Sequence, residues 1–282
     1  MMTSVDSPHI QSLEMDLLLE AVLKARGYDF RNYARASLER RIHTTRIKLD
    51  LETVSDLIPK LIHHDPSFAI FLGEMSVTVT EMFRNPSFFK TLREEIIPSL
   101  RAWPYLKIWC AGCATGEEAY SLAILLKEED LFHRCQIYAT DFNTRSLATA
   151  REGSFPLDKM KSYVENYHNS GGKKDFTDYY RAGNQSVLLD GELRENILFT
   201  QHNLVCDGSF GELNLILCRN VLIYFNQTLQ NRVFDLFDQS LCHGGFLCLG
   251  SKESLNFSGL EKRYAPVNAE EKIFKKGYTT DS

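Results

Sequence analysis

The 282-residue sequence has no apolar run near the roughly 18–20 residues a membrane-spanning helix needs. Its start, Met1 to Ile10, lacks the basic-then-apolar order of a secretory signal, so a cytoplasmic protein is expected. There is no excess of positive charge. Thirty-two Lys and Arg against 37 Asp and Glu leave a formal net charge of −5, which argues against a general nucleic-acid binder with its basic face. There is no even, regularly spaced cysteine set either. The seven cysteines (Cys110, Cys113, Cys135, Cys206, Cys218, Cys242 and Cys248) are scattered, which excludes a disulfide framework. Cys110-x-x-Cys113 lacks a second Cys/His pair at ligand spacing, so no metal site is expected and the pair reads as small residues in a crowded turn. No repeat, no low-complexity tract and no G-x-G-x-x-G run occurs, and the last absence excludes the usual dinucleotide cradle.

What is present is an ordinary globular composition, 44% hydrophobic and 24% charged, in a length that suits one large domain or two modest ones. Up to about residue 75 the apolar residues recur at helical spacing (Leu13, Leu17, Leu18, Ala21 and Val22, then Leu57, Ile58, Leu61 and Ile62), predicting a small helical domain over 1–75. Residues 76–87 read as a linker carrying site residues, and 88–282 as an α/β domain. Strands are expected at Leu106–Cys110, Gln136–Thr140, Ile197–His202, Leu213–Cys218, Phe246–Leu249 and Lys272–Lys275, with helices between most of them. That alternation implies a doubly wound, Rossmann-like parallel sheet. A helix is expected from a Thr228 cap to Leu241, stopped by Gly244-Gly245. The polar stretch after Gly153 reads as a small antiparallel β insertion at about 176–196, drawing also on the strand from Ile197. Gly171-Gly172-Lys173-Lys174 reads as a mobile loop.

The most informative run is Lys107-Ile108-Trp109-Cys110-Ala111-Gly112-Cys113-Ala114-Thr115-Gly116-Glu117-Glu118. A strand enters a small-residue turn and a helix starts at Glu117, which is how doubly wound folds cradle nucleotide-like ligands. Glu117 and Glu118 would repel a phosphate at that helix start. The expected ligand is adenosine-like, free of phosphate and able to carry positive charge, as S-adenosylmethionine is. Asp141, ending the next strand, suits the ribose hydroxyls, unless it caps the following helix. Asn203 could pair with an adenine edge or make an Asx turn. Arg219-Asn220 end a buried strand where such folds place their sites, and Tyr224 follows. Thr78, Thr80 and Arg84 lie in Val77-Thr78-Val79-Thr80-Glu81-Met82-Phe83-Arg84.

Taken together, Thr78–Arg84, Cys113–Ser121, Ala139-Thr140-Asp141 and Cys218–Phe225 resemble one family, the chemotaxis receptor methyltransferases (CheR-type S-adenosylmethionine-dependent protein-glutamate O-methyltransferases). The resemblance covers nearly the whole chain. It implies cofactor contacts at Thr78, Thr80, Arg84, Gly112, Glu118, Asp141, Asn203, Leu204, Arg219 and Asn220, and methyl transfer beside Arg84 and Tyr224. The family often has asparagine where Thr78 stands and proline where Ala119 stands. The implied acceptor is a receptor glutamate, already ionised at neutral pH because its reference pKa is about 4.3. No general base is required, which agrees with the lack of an evident His or Cys dyad.

Across residues 24–48 the bases Lys24, Arg26, Arg31, Arg35, Arg40, Arg41, Arg46 and Lys48 face only Asp29 and Glu39. Glutamate-rich receptor helices would be drawn to such a face, and the resemblance implies that role. It also relates the β insertion to a subdomain that binds a receptor tail peptide in some family members. Other readings share parts of the pattern: a methyltransferase for small molecules or nucleic acid, a non-catalytic cofactor-binding scaffold, and a nicotinamide-dependent oxidoreductase. The missing G-x-G-x-x-G disfavours the last.

Overall fold

A computed structural model describes residues 8–76 and 79–277. By its contacts the chain divides into two compact units, Met1–Val77 with Ile223–Gln230, and Thr78–Leu222 with Asn231–Ser282.

The first unit is helical: α1 (Pro8–Arg26), α2 (Arg35–Lys48), α3 (Leu57–His63) and α4 (Asp65–Met75). Leu18, Val22, Ile42, Leu57, Leu61 and Phe71 are fully buried between these helices, as their helical spacing requires. His64 caps α4, its ring nitrogen accepting the Ser67 amide, and Pro66 follows where a missing N–H is harmless. The distant segment Ile223–Gln230 joins this unit through backbone bonds. Ala34 N–H donates to the Tyr224 carbonyl at 2.8 Å, Asn226 N–H donates to the Asn32 carbonyl at 2.9 Å, and Tyr33 bridges Phe225.

The second unit opens with α5 (Pro86–Thr91) and α6 (Ile97–Leu100), joined by a π-helical turn at Leu92–Ile96. It continues through β1 (Leu106–Ala111), α7 (Glu117–Glu128), β2 (Cys135–Asp141), α8 (Thr144–Glu152), β3 (Ser154–Pro156), α9 (Met160–Asn169), β4 (Tyr180–Ala182), β5 (Ser186–Leu189), β6 (Ile197–Gln201) and β7 (Leu213–Cys218). Then follow α10 (Gln227–Ser240), β8 (Leu241–Leu249), β9 (Tyr264–Asn268) and β10 (Ile273–Lys276). The main sheet runs β6-β2-β1-β7-β8-β10-β9. Its first five strands are parallel, as expected of a Rossmann-like domain, whereas β10 lies antiparallel to both neighbours. β1 and β7, central and covered on both faces, are apolar along nearly their whole length.

Four local expectations change. The strand at Ile197 is not part of the β insertion. It pairs parallel with β2 at the edge of the main sheet, while β3 completes the small sheet in the order β3-β5-β4. Gly244-Gly245 do not stop a helix, because α10 ends at Ser240 and both glycines lie inside β8. There the register against β7 slips and Gly244 takes φ +79. The α10 start is capped by Asn226, whose side-chain oxygen accepts the Leu229 amide at 3.0 Å, rather than by Thr228. The Gly171–Lys174 loop is anchored: the Lys173 amide donates to Glu128 at 3.0 Å and the Lys174 amide to the Tyr167 hydroxyl at 2.9 Å. Among the described residues, no helix is long and apolar enough to cross a membrane.

Candidate active site

The carboxyl ends of β1, β2 and β7 lie side by side in the centre of the parallel sheet, where such folds leave a crevice for ligands. The turn after β1 is tight. The amides of Gly112 and Cys113 both donate to the Thr140 carbonyl at 2.8 Å, which binds this turn to β2. Gly112 has φ +74, and a Cβ there would sit 2.5 Å from the Val221 side chain, so both conformation and space demand glycine. Gly116 follows at φ +97 and leads directly into α7.

The two glutamates that open α7 point to different surroundings. Glu117 is 1% exposed, and its carboxylate accepts hydrogen bonds from the hydroxyls of Thr115 (2.6 Å) and Tyr163 (3.2 Å). Burial pushes its carboxyl above the usual range. Glu118 instead meets Arg219 at the end of β7, where the guanidinium donates to its carboxylate at 2.9 Å.

Asp141 closes β2. One carboxylate oxygen accepts the Ala114 amide from the β1 turn at 3.0 Å and the other accepts the Asn143 amide at 2.9 Å. Burial raises its pKa, and the backbone amides partly oppose that. Asn143, not Asp141, caps α8, its side chain accepting the Arg145 and Ser146 amides. The Phe142 amide bonds the same carboxylate, so three backbone amides fix it at the end of β2.

Arg219 is a hub. Its side chain is 3% exposed and lies 3.9 Å over the Phe88 ring. It donates to Glu118, to the Asn85 side-chain oxygen at 3.0 Å and to the Arg84 carbonyl at 3.3 Å, leaving Nε buried without a partner. Arg84 is thus held by its backbone. Its own guanidinium donates to the Val79 carbonyl at 3.2 Å and meets no carboxylate among the described residues. Asn220 adopts φ +61, and its amide donates to Glu253.

On the β6 side, Asn203 makes an Asx turn, its side-chain oxygen accepting the Val205 amide at 3.0 Å, and buried Leu204 follows. The Asn203 side-chain N–H₂ remains available for an adenine edge. Thr80 is half-buried. Thr78 lies outside the described residues. Tyr224 belongs to the helical unit, where the Arg41 guanidinium lies 4.8 Å over its ring.

Local spacing could not reveal Glu253 or Asn85. Glu253 sits in the loop after β8, and Asn85 meets Arg219 from 134 residues away. The thiols of Cys110 and Cys113 are free and buried, and burial pushes both well up, so neither is poised as a nucleophile. A polar cavity of about 500 Å³, lined by Glu212, Asp235, Asp238, Arg263 and Lys276, lies at the opposite, amino end of β7 and β8. Asp238 there is paired with Arg263 and Lys276.

The basic residues of the helical unit are mostly engaged within it. Arg31 pairs with Asp29 and Glu20, Arg35 with Asp16 and Glu39, Lys24 with Glu20, and Lys48 with Glu74. Arg46 donates to the Leu51 and Glu52 carbonyls. Arg41 is 7% exposed and spans inward to the Glu74 and Met75 carbonyls at 2.8 and 2.9 Å, so it does not contribute to an exposed basic face. Arg40 is exposed and has no ion pair among the described residues.

Residues 78–273 match the family described as CheR methyltransferase, SAM binding domain, and residues 13–76 match CheR methyltransferase, all-alpha domain. The chain is 47% identical over 264 residues to Cher3 of Pseudomonas putida, a methyltransferase by name, covering 94% of this chain and 97% of that protein. It is 29% identical over 250 residues to the chemotaxis protein methyltransferase of Listeria innocua, covering 87% and 92%. It is 33% identical over 194 residues to chemotaxis protein methyltransferase 2 of Pseudomonas aeruginosa, covering 66% of each.

Proposed function

The chain belongs to the CheR methyltransferase family and is an S-adenosylmethionine-dependent methyltransferase, and from that premise we propose that it methylates glutamate carboxylates of chemoreceptors. It would work in the cytoplasm, recruited to receptor arrays, and serve adaptation in chemosensory signalling.

The observation that carries the proposal is the charge pattern at the strand ends. Asp141 offers acceptors beside the β1 turn, Glu118 is neutralised by Arg219, and Arg84 presents a guanidinium without a carboxylate partner among the described residues. An adenosine carrying a carboxylate and a sulfonium suits that pattern, and a pyrophosphate does not. The residues fit the cofactor as follows: Gly112 lets backbone approach, Asp141 accepts the ribose hydroxyls, and Asn203 with Leu204 borders the adenine. Thr80, Glu118, Arg219 and Asn220 line the remainder, as would Thr78.

When bound, the cofactor supplies an electrophilic methyl on sulfur. A glutamate oxygen forms the new C–O bond while the C–S bond breaks. The electron pair stays on sulfur, giving a γ-methyl ester and S-adenosylhomocysteine with no proton transferred. The chain's own residues therefore align and desolvate the reactants rather than move protons. Arg84 fixes a carboxylate. A fork on the attacking carboxylate would lower its nucleophilicity, so the gain lies in alignment. Tyr224 orients the acceptor. Arg40, with Arg31, Arg35 and Arg46 of the same unit, would steer acidic receptor helices, and the small sheet β3-β5-β4 could accept a receptor tail peptide at an edge.

The test is calorimetry with S-adenosylhomocysteine and NAD, followed by transfer of radiolabelled methyl to receptor-rich membranes. Binding of the first ligand alone, with base-labile label on a receptor, supports the proposal. Binding without transfer to receptors refutes the receptor half.

A further inference from the structure

We propose that Glu253 is the positioning residue of the cofactor pocket: its carboxylate sets the loop after β7, and through Val221 the wall facing the Gly112 turn. This rests on the reading that Gly112 and Asn220 contact the cofactor.

Glu253 is 5% exposed. Its Oε1 accepts the amides of Val221 and Leu222, both at 2.8 Å, and its Oε2 accepts those of Asn220 at 3.1 Å and Gly250 at 2.6 Å. No cation pairs with it among the described residues, so backbone dipoles alone hold the charge in place. Burial lifts the carboxyl and the four amides pull it back.

The loop needs such an anchor. Asn220 holds a left-handed backbone at φ +61, a conformation that persists only where its surroundings over-determine it. Space is tight on both sides of the loop. A Cβ at Gly250 would lie 2.7 Å from the Asn220 nitrogen and 2.8 Å from Glu253 Oε2, and a Cβ at Gly112 would lie 2.5 Å from Val221. Gly250 and Glu253 thus fix Asn220–Leu222, and Val221 in turn packs against Gly112. A carboxylate is suited to this place because it accepts at every lone pair and donates nowhere. Gln at 253 would turn N–H groups toward two of the four backbone donors.

The test uses the full-length chain. Glu253→Gln is titrated with S-adenosylhomocysteine by calorimetry, and amide hydrogen exchange is followed over residues 219–222. The expected result is faster exchange at Asn220–Leu222, affinity weakened about tenfold or more, and a rise in KM for S-adenosylmethionine that exceeds the fall in kcat. A purely structural role would lower the melting temperature and leave affinity and KM unmoved in the folded variant, and that result overturns the proposal. If Glu253→Gln does not fold, Gly250→Ala displaces the same Asn220 amide with Glu253 intact, and wild-type affinity there also overturns it. Asn220→Ala separates the two levels. Weak binding by Asn220→Ala with normal binding by Glu253→Gln rejects the role of Glu253 alone. Normal binding by Asn220→Ala rejects that residue as a cofactor contact.

Discussion

Arg219 at the end of β7 donates a 2.9 Å hydrogen bond to Glu118 in the first turn of α7, so a strand end and a helix start of the candidate site are joined by one largely buried ion pair. It also donates to Asn85 and to the Arg84 carbonyl, and Phe88 lies beneath. The pair therefore positions Arg84 as well as Glu118.

Removing one member of such a pair leaves the other uncompensated. Arg219→Ala is expected to destabilise the chain by about 3–5 kcal/mol in urea unfolding. Glu118→Gln should lose less, about 1–2 kcal/mol, because Asn85 and the Arg84 carbonyl still accept from Arg219. Equal losses for the two variants would contradict the hub assignment.

Glu117 gives a pH signature. Burial raises its pKa above the ordinary value, so the folded chain binds this proton more tightly than the unfolded chain. Its contribution to stability is then fully present below the ordinary pKa and declines as pH rises toward the raised value. Glu117→Gln cannot ionise. The unfolding free energy of the variant, relative to wild type, should grow as pH rises above the ordinary glutamate pKa of about 4.3 toward the raised one, by no more than about 1.4 kcal/mol per pH unit. A pH-independent difference would refute the buried-carboxyl account.

Arg40 and Arg41 are neighbours in sequence with opposite roles. Arg40→Glu should slow receptor methylation at low salt with little change in stability, and the effect should fade as salt screens it. Arg41→Ala should instead destabilise the helical unit by about 2–3 kcal/mol, since it abandons the buried Glu74 and Met75 carbonyls. Stopped-time methylation assays at two salt concentrations and thermal melts separate the outcomes. An Arg40→Glu variant with unchanged methylation at low salt would remove the docking face from the proposal.

Much of the fold was legible in the sequence because its signals are local. The helical spacing of Leu18, Val22 and Leu61, the buried runs of β1 and β7 and the small-residue turn at Gly112 each report their own surroundings. What escaped was decided by partners far along the chain. β3 and β9 are short and carry little apolar pattern, so only their pairing defines them. The α8 cap is Asn143, two residues past Asp141, a choice that composition does not register. The basic residues of 24–48 looked free because Glu20, Asp16 and Glu74, which pair with Arg31, Arg35 and Lys48, lie outside that stretch.

The most direct test of the account is mass-spectrometric mapping of a receptor fragment incubated with S-adenosylmethionine and either the wild-type chain or Arg84→Ala. The account predicts methyl esters on receptor glutamates, released as methanol by mild base, and loss of nearly all turnover in Arg84→Ala while the protein remains folded. Label on a base-stable side chain, or near-normal turnover by Arg84→Ala, would contradict it.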